Sequence, residues 1–153
     1  TMTGGRLKRV KEYINNETFC LTYGDGVSDL DINSLIEFHK KNKNIATLTA
    51  VQPPARFGAL DIDDENIIRG FQEKPAGSSG WVNGGFFVLE PCVLEEIKND
   101  QTILENDILP KLSQEKKLSA FKHKGFWQPM DTLRDKIFLE KLWEEKKALW
   151  KKW

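Results

Sequence analysis

The run Phe19-Cys20-Leu21-Thr22-Tyr23 is apolar and β-prone, and it stops abruptly at Gly24-Asp25-Gly26. An acid set between two glycines at a strand's end is how an open α/β sheet offers one carboxylate to a ligand at the carboxyl edge of its strands. The glycines let a bulky ligand approach the backbone, with the acid facing it. Asp-Gly is also a common hairpin signal, so the segment alone leaves a surface turn open as a second reading. The next residues favour a sheet. Asp31 is placed to cap a helix whose apolar stripe is Ile32, Leu35, Ile36 and His39. Ile45–Val51 then reads as a buried strand, and a strand–helix–strand unit favours parallel pairing of its two strands.

The rest of the chain alternates in the same way. Leu7, Val10 and Ile14 recur at helical spacing and predict a short amphipathic helix over residues 5–15. Residues 52–58, with Pro53-Pro54, form a stiff loop, and shorter strands are expected at 59–62, 67–73 and 82–89, with 63–66 as a hairpin turn. The stretch Lys74-Pro75-Ala76-Gly77-Ser78-Ser79-Gly80 suits a mobile loop over a site. Pro91 suits the first turn of a helix reaching Lys98. A further helix is expected over 104–114, with Pro110 as a kink or early stop, and a strand over 118–123. A long last helix starting near Thr132 places Leu139, Leu142, Trp143, Lys146, Leu149, Trp150 and Trp153 on one face. The pattern is α/β with a mixed sheet, in one domain.

Composition narrows the function classes. The 23 basic residues balance 23 acidic ones, so nothing electrostatic points to a nucleic-acid partner. No apolar stretch approaches membrane-span length, and no signal peptide opens the chain. The Lys- and Trp-bearing last helix reads as a face packed on a core or a neighbouring subunit, not as a membrane-surface helix. Cys20 lies within a predicted strand and Cys92 follows a proline; neither has metal-site spacing, and a reducing cytoplasm is expected. The opening, Thr1-Met2-Thr3-Gly4-Gly5-Arg6, runs from a glycine turn straight into a helical pattern. It predicts a chain that begins inside a larger unit.

Several residues could carry chemistry. Asp131 stands in Phe126-Trp127-Gln128-Pro129-Met130-Asp131-Thr132, at the head of the last helix, where an N-cap is the ordinary reading. The alternative pairs it with Asp25 on one magnesium ion. Magnesium takes few carboxylates and completes its octahedron with water and phosphate oxygens, so that pair predicts a phosphate-bearing substrate. Asp29 is left undecided beside the capping Asp31. Glu73-Lys74-Pro75 ends a strand with an acid and a base that could share one ligand, Glu73 taking sugar hydroxyls and Lys74 a phosphate; a solvated turn is the other reading. Asn83-Gly84-Gly85 sets two glycines inside a strand, which implies either a bulge or a close approach, and Gly58 raises the same question. Arg6, with Gly4-Gly5 before it and a helix after it, could hold a phosphate. His39 and His123 show no ligand spacing and are expected on a helix face and at a strand end.

Six segments in order carry a resemblance: Met2-Thr3-Gly4-Gly5-Arg6, Tyr23-Gly24-Asp25-Gly26, Arg56-Phe57-Gly58-Ala59-Leu60, Phe71-Gln72-Glu73-Lys74-Pro75, Asn83-Gly84-Gly85-Phe86-Phe87 and Phe126–Thr132. Together they closely resemble the sugar-phosphate nucleotidyltransferases, and most of all their cytidylyl branch. The resemblance implies a Rossmann-like nucleotidyltransferase fold, with a mixed, mainly parallel sheet flanked by helices. It implies Mg2+-dependent attack of glucose 1-phosphate on CTP, giving CDP-glucose and pyrophosphate. Asp25, Asp131 and Lys74 become the catalytic set, with Asp25 and Asp131 on the metal. Thr1, Arg6, Gly24 and Asp25 fall to the nucleotide, and Gly58, Glu73, Lys74, Asn83 and Gly84 to the sugar phosphate. A cytoplasmic homo-oligomer, bound to neither nucleic acid nor membrane, is the implied form. The family also opens with a strand and a Gly-Gly-x-Gly-Thr-Arg loop followed by a lysine, which this sequence lacks. Residues 1–153 therefore match the C-terminal, sugar-phosphate and metal part of one such domain, and the chain alone is expected to be incompetent. Thymidylyl- or uridylyltransferase activity, a non-catalytic domain of the same family and, last, a metal-dependent glycosyltransferase are the competing readings.

Overall fold

Phe86-Phe87-Val88-Leu89 has no polar alternation, and a strand made of such a run needs cover on both faces and partners on both edges. A computed structural model describes residues 1–53, 59–62, 64–72 and 80–152, the side chains of 59–61, 71 and 72 excepted. It places that run in β6 (Val82–Leu89), the second strand of a four-stranded sheet. The other three strands are β1 (Phe19–Thr22), β3 (Ala46–Val51) and β7 (Leu118–His123), in the order β1-β6-β3-β7. β1 pairs antiparallel with β6, from Phe19 opposite Leu89 to Thr22 opposite Phe86. The Glu90 N–H donates to Ile45 O (2.8 Å), which sets the end of β6 beside the start of β3 and makes that pair antiparallel too. The Ala46 N–H donates to Lys117 O (3.3 Å), which sets start beside start, so β3 and β7 run parallel. Three strands thus share one direction, and the sheet is mixed as expected. The direct β1–β3 pairing read from the strand–helix–strand unit does not occur, because β6 lies between them.

Two compact units are distinguished. The first comprises Thr1–Gly26, Asp31–Thr49 and Gly85–Phe121, and the second Val27–Leu30, Ala50–Gly84 and Lys122–Trp153. The core of the first unit is built from Leu7, Ala46, Phe87, Leu89, Val93, Leu94 and Ile97, with Leu104, Ile108 and Leu112 from further along the chain. Its helix α2 (Ile32–Asn42) starts as predicted, with Asp31 Oδ1 accepting from the Asn33 N–H (3.0 Å). The helix ends at Lys43, whose φ of 55° turns the chain left-handed. His39 is buried; its Nδ1 lies 2.8 Å from Thr47 Oγ1 and its Nε2 2.9 Å from Glu90 Oε1. It fastens α2 to the sheet and has no chemistry left to do.

Pro91 and Pro110 sit where a missing N–H is harmless, Pro91 in the first turn of a helix as expected and Pro110 not at the expected kink or stop. Pro91 opens a 3-10 helix, Pro91–Glu96, shorter than the helix read from the sequence. Leu104–Ile108 is a π-helical turn, and Pro110 falls in the first turn of α3 (Leu109–Gln114). The change of helix type places the proline at a helix start, so it neither kinks nor stops the segment. The first helix is also shorter than predicted: α1 covers Thr3–Arg9, followed by a 3-10 turn at Lys11–Tyr13.

In the second unit β4 (Ala59–Ile62) and β5 (Ile68–Gln72) form the expected antiparallel hairpin, with an irregularity at Asp61/Ile62. Asn66, at φ 64°, supplies the left-handed residue of its turn. β2 (Gly26–Ser28) pairs with β8 (Trp127–Pro129), which leads into α4 (Leu133–Glu144). That last helix stops far short of the predicted stripe. Lys146 turns left-handed at φ 58°, and the Lys147 N–H donates to Leu142 O (2.8 Å), a C-terminal cap. Trp150 then stacks on Phe126 with ring centroids 5.6 Å apart, so it belongs to a return and not to the helix face. Trp153 lies outside the described residues.

At the other end of α4 the cap is Thr132, not Asp131. Thr132 Oγ1 accepts from the Asp135 N–H (3.2 Å), and Asp135 Oδ2 accepts from the Thr132 N–H (3.0 Å), a reciprocal capping box. Thr132→Ala is expected to lower unfolding free energy by about 1 kcal/mol, measured by urea denaturation, with Thr132→Ser restoring most of the loss.

Candidate functional site

Asp25 is delivered by the turn between β1 and β2, two residues after Tyr23, which is anchored on several sides. The Tyr23 N–H donates to Gly85 O (3.2 Å), which extends the β1–β6 ladder. The Tyr23 ring lies edge-on to Phe87, centroids 5.6 Å apart. It also covers Gly85, where a Cβ would come within 2.4 Å of ring carbon Cδ2. With φ at +80°, Gly85 is needed both for its backbone and for this contact. The close approach signalled by the paired glycines is thus made here by Tyr23. The phenol donates to Glu105 Oε1 (2.5 Å). Gly24 and Asp25 then form the turn that enters β2 at Gly26. A Cβ on Gly24 would meet nothing within 4 Å, and Asp25 is exposed, its carboxylate bonded to no described residue.

Glu105, presented by the π turn, was invisible to sequence reasoning. It stands between the buried Leu104 and Ile108, and its partners are 82 and 102 residues away, so no local signal announces it. Its second oxygen accepts from Thr3 Oγ1 (2.7 Å), and Thr3 Oγ1 in turn accepts from the Leu104 N–H (2.9 Å). Burial pushes the Glu105 carboxyl up, but the hydrogen bonds from Tyr23 and Thr3 outweigh it and leave the group below its ordinary value.

The Gly4-Gly5 pair does not precede a helix as expected; both residues lie inside α1. A Cβ on Gly4 would come within 2.8 Å of Thr102 O, and one on Gly5 within 2.6 Å of Asp100 Cα. The pair therefore lets α1 lie directly on the 99–102 turn, where the Met2 N–H donates to Asp100 O (2.8 Å) and the Gly5 N–H to Thr102 O (3.3 Å). The glycines serve this packing. Arg6 Nε donates to Thr1 O (3.0 Å), which brings those two candidate residues together at the start of α1.

In the second unit, Asn83 and Gly84 open β6 and meet the segment that carries Asp131. Trp127 Nε1 donates to Gly84 O (2.8 Å). Gln128, buried, donates from Nε2 to Pro129 O and to Asp135 Oδ1, both at 3.1 Å. Asp131 stands between this locked pair and the Thr132 cap, exposed, with its carboxylate bonded to no described residue. Asp29 is a structural partner: its Oδ1 lies 2.9 Å from His123 Nε2, and its N–H donates to Phe126 O (3.1 Å). Gly58, Glu73 and Lys74 lie outside the described residues. Asp25 belongs to the first unit and Asp131 to the second.

Both acids that the sequence singled out are thus exposed, with no side-chain bond among the described residues. A solvent-facing carboxylate without an internal partner suits a hydrated divalent cation, which keeps most of its ligands as water and phosphate oxygen.

The sequence profile of the Nucleotidyl transferase family matches residues 4–144. The glucose-1-phosphate cytidylyltransferase of Salmonella typhi is 59% identical over 154 residues, covering 100% of this chain and 60% of its own length. A probable glucose-1-phosphate cytidylyltransferase of Bacillus subtilis (strain 168) is 37% identical with the same coverage. The chain therefore spans 60% of the length of these relatives. Among solved structures, HddC from Yersinia pseudotuberculosis superposes with a TM-score of 0.64 at 26% identity, over 90% of this chain and 60% of that one.

Proposed function

The chain belongs to the nucleotidyl transferase family, and from that premise we propose that the full-length protein transfers a cytidylyl group from CTP to glucose 1-phosphate. The observation that carries this reading is the likeness to the Salmonella typhi cytidylyltransferase, sustained over the whole chain. A phosphate oxygen of glucose 1-phosphate attacks the α-phosphorus of CTP. The new P–O bond forms as the bond to the pyrophosphate oxygen breaks, and the electron pair leaves with pyrophosphate; CDP-glucose is the other product. The nucleophile is already anionic, so no strong base is required. Positioning and charge neutralisation carry the catalysis.

Asp25 and Asp131 would hold Mg2+, whose charge offsets that of the crowded phosphates. Thr1 and Arg6 take the nucleotide phosphates, beside Gly24. Glu73 accepts from sugar hydroxyls, Lys74 neutralises the sugar phosphate, and Gly58, Asn83 and Gly84 line the sugar. The protein works in the cytoplasm as a homo-oligomer. In support, Leu133, Ile137, Phe138 and Trp143 of α4 are exposed, and among the described residues no helix is long and apolar enough to cross a membrane.

Pyrophosphate release by the full-length protein, measured with glucose 1-phosphate and Mg2+ across CTP, UTP and dTTP, tests the assignment. CTP is expected to be the preferred nucleotide. Faster release from UTP or dTTP would move the protein to another branch, and no release from any of them would sink the reading.

A further inference from the structure

Two of the proposed ligand-binding segments of the first unit are bonded to one carboxylate. Oε1 of Glu105 accepts from the Tyr23 hydroxyl and Oε2 from Thr3 Oγ1. Tyr23 stands two residues before Asp25, and Thr3 lies in the segment that runs from Thr1 to Arg6. Glu105 makes no ion pair among the described residues, so its charge is directed wholly to these two donors and to its own turn. Charge-assisted hydrogen bonds of this kind are short and stronger than neutral ones.

Gly24 makes this tether matter. Gly24, with open space around it, gives Asp25 no side-chain contact to lean on, and Asp25 sits in the turn between Tyr23 and Gly26, where β2 begins. Tyr23 is therefore the last anchored side chain ahead of the carboxylate. The other end of the tether is equally specific: the Leu104 N–H donates to Thr3 Oγ1, which fixes the hydroxyl so that its proton points at Glu105.

We propose that Glu105 is a positioning residue that sets the Asp25 carboxylate and the Thr1–Arg6 segment relative to each other, and so couples divalent-cation binding to nucleotide binding. This rests on the proposed roles of Asp25 at the metal and of Thr1 and Arg6 at the nucleotide. Glu105 touches neither ligand; it acts through Tyr23 and Thr3.

The test uses the full-length protein with Glu105→Gln, Tyr23→Phe and the double variant. Mn2+ affinity is read by electron paramagnetic resonance with and without CTP, and KM values for CTP and glucose 1-phosphate by pyrophosphate release. Each single variant is expected to weaken Mn2+ binding and raise the CTP KM by about tenfold, the scale of one hydrogen bond to a charged group. The glucose 1-phosphate KM should stay in place, and the double variant should be little worse than the worse single one, because both act on the charge-assisted Tyr23–Glu105 bond. A fall in kcat alone, with Mn2+ affinity and both KM values unchanged, overturns the proposal, as does strict additivity. Mn2+ binding is read without turnover. A wild-type protein that binds Mn2+ but does not release pyrophosphate would sink the proposed reaction, while the Mn2+ comparison would still decide the role of Glu105.

Discussion

Replacing Asp25 by asparagine in the full-length protein is expected to lower kcat by a factor on the order of 10² to 10³, the usual penalty for removing one preorganised electrostatic contact to a transition state. The affinity for glucose 1-phosphate, measured by calorimetry, should change far less. Asparagine keeps the shape of the side chain and removes only its charge. That charge is not used by the fold, since no described residue bonds the carboxylate and the side chain is exposed. Thermal stability should therefore shift by no more than about 0.5 kcal/mol, as for other surface substitutions. An interaction realised mainly in the transition state lowers kcat and kcat/KM together, whereas uniform binding raises KM alone. Equal losses in turnover and in sugar-phosphate affinity would make Asp25 a structural residue. Asp131→Asn should behave in the same way, because the helix cap is supplied by Thr132 and leaves Asp131 similarly unoccupied.

The features that the sequence disclosed are those fixed over short distances. The apolar run ending in Tyr23, the cap at Asp31, the hairpin around Asn66 and the strand at Leu118–His123 are set by spacing and turn chemistry alone. Asp25 was legible for that reason, because its flanking glycines are its neighbours. The strand between β1 and β3 was not, since Phe19 pairs with Leu89 and nothing near either residue says so. Helix ends were misplaced wherever a tertiary contact decided them. The stripe from Leu139 to Trp150 has a sustained helical period, yet Trp150 gains more by stacking on Phe126 than by extending an exposed face.

The glycines make the same point with opposite signs. Gly4-Gly5 reads in sequence as a turn ahead of Arg6, and only the backbone of Asp100 and Thr102 beneath it reveals a packing role. Asn83-Gly84-Gly85 left a bulge and a close approach open, and at Gly85 the group that approaches is the Tyr23 ring. Glu105 was missed altogether, because an acid flanked by apolar positions at helical spacing looks like an ordinary exposed helical residue. What identifies it are donors from two distant segments.

The larger effect on stability should come from Gly85. Alanine there must adopt φ near +80° and place its Cβ within 2.4 Å of the Tyr23 ring. The backbone conformation costs about 1–2 kcal/mol for a residue with a side chain, and overpacking a filled site about 1–3 kcal/mol, so Gly85→Ala should lose about 2–5 kcal/mol. Gly24→Ala is the matched control. Its Cβ would enter open space, and the expected change is within about 0.5 kcal/mol. Urea denaturation of the two variants separates the readings, because both glycines neighbour Tyr23, one along the chain and one across the strands, and only one is crowded by it. Tyr23→Ala divides the cost further: on that background the ring is gone, and adding Gly85→Ala should cost only the backbone part, about 1–2 kcal/mol. If the cost of Gly85→Ala is the same with and without the ring, then Tyr23 is not seated on that glycine. The tether from Glu105 to Tyr23 would then lose its floor.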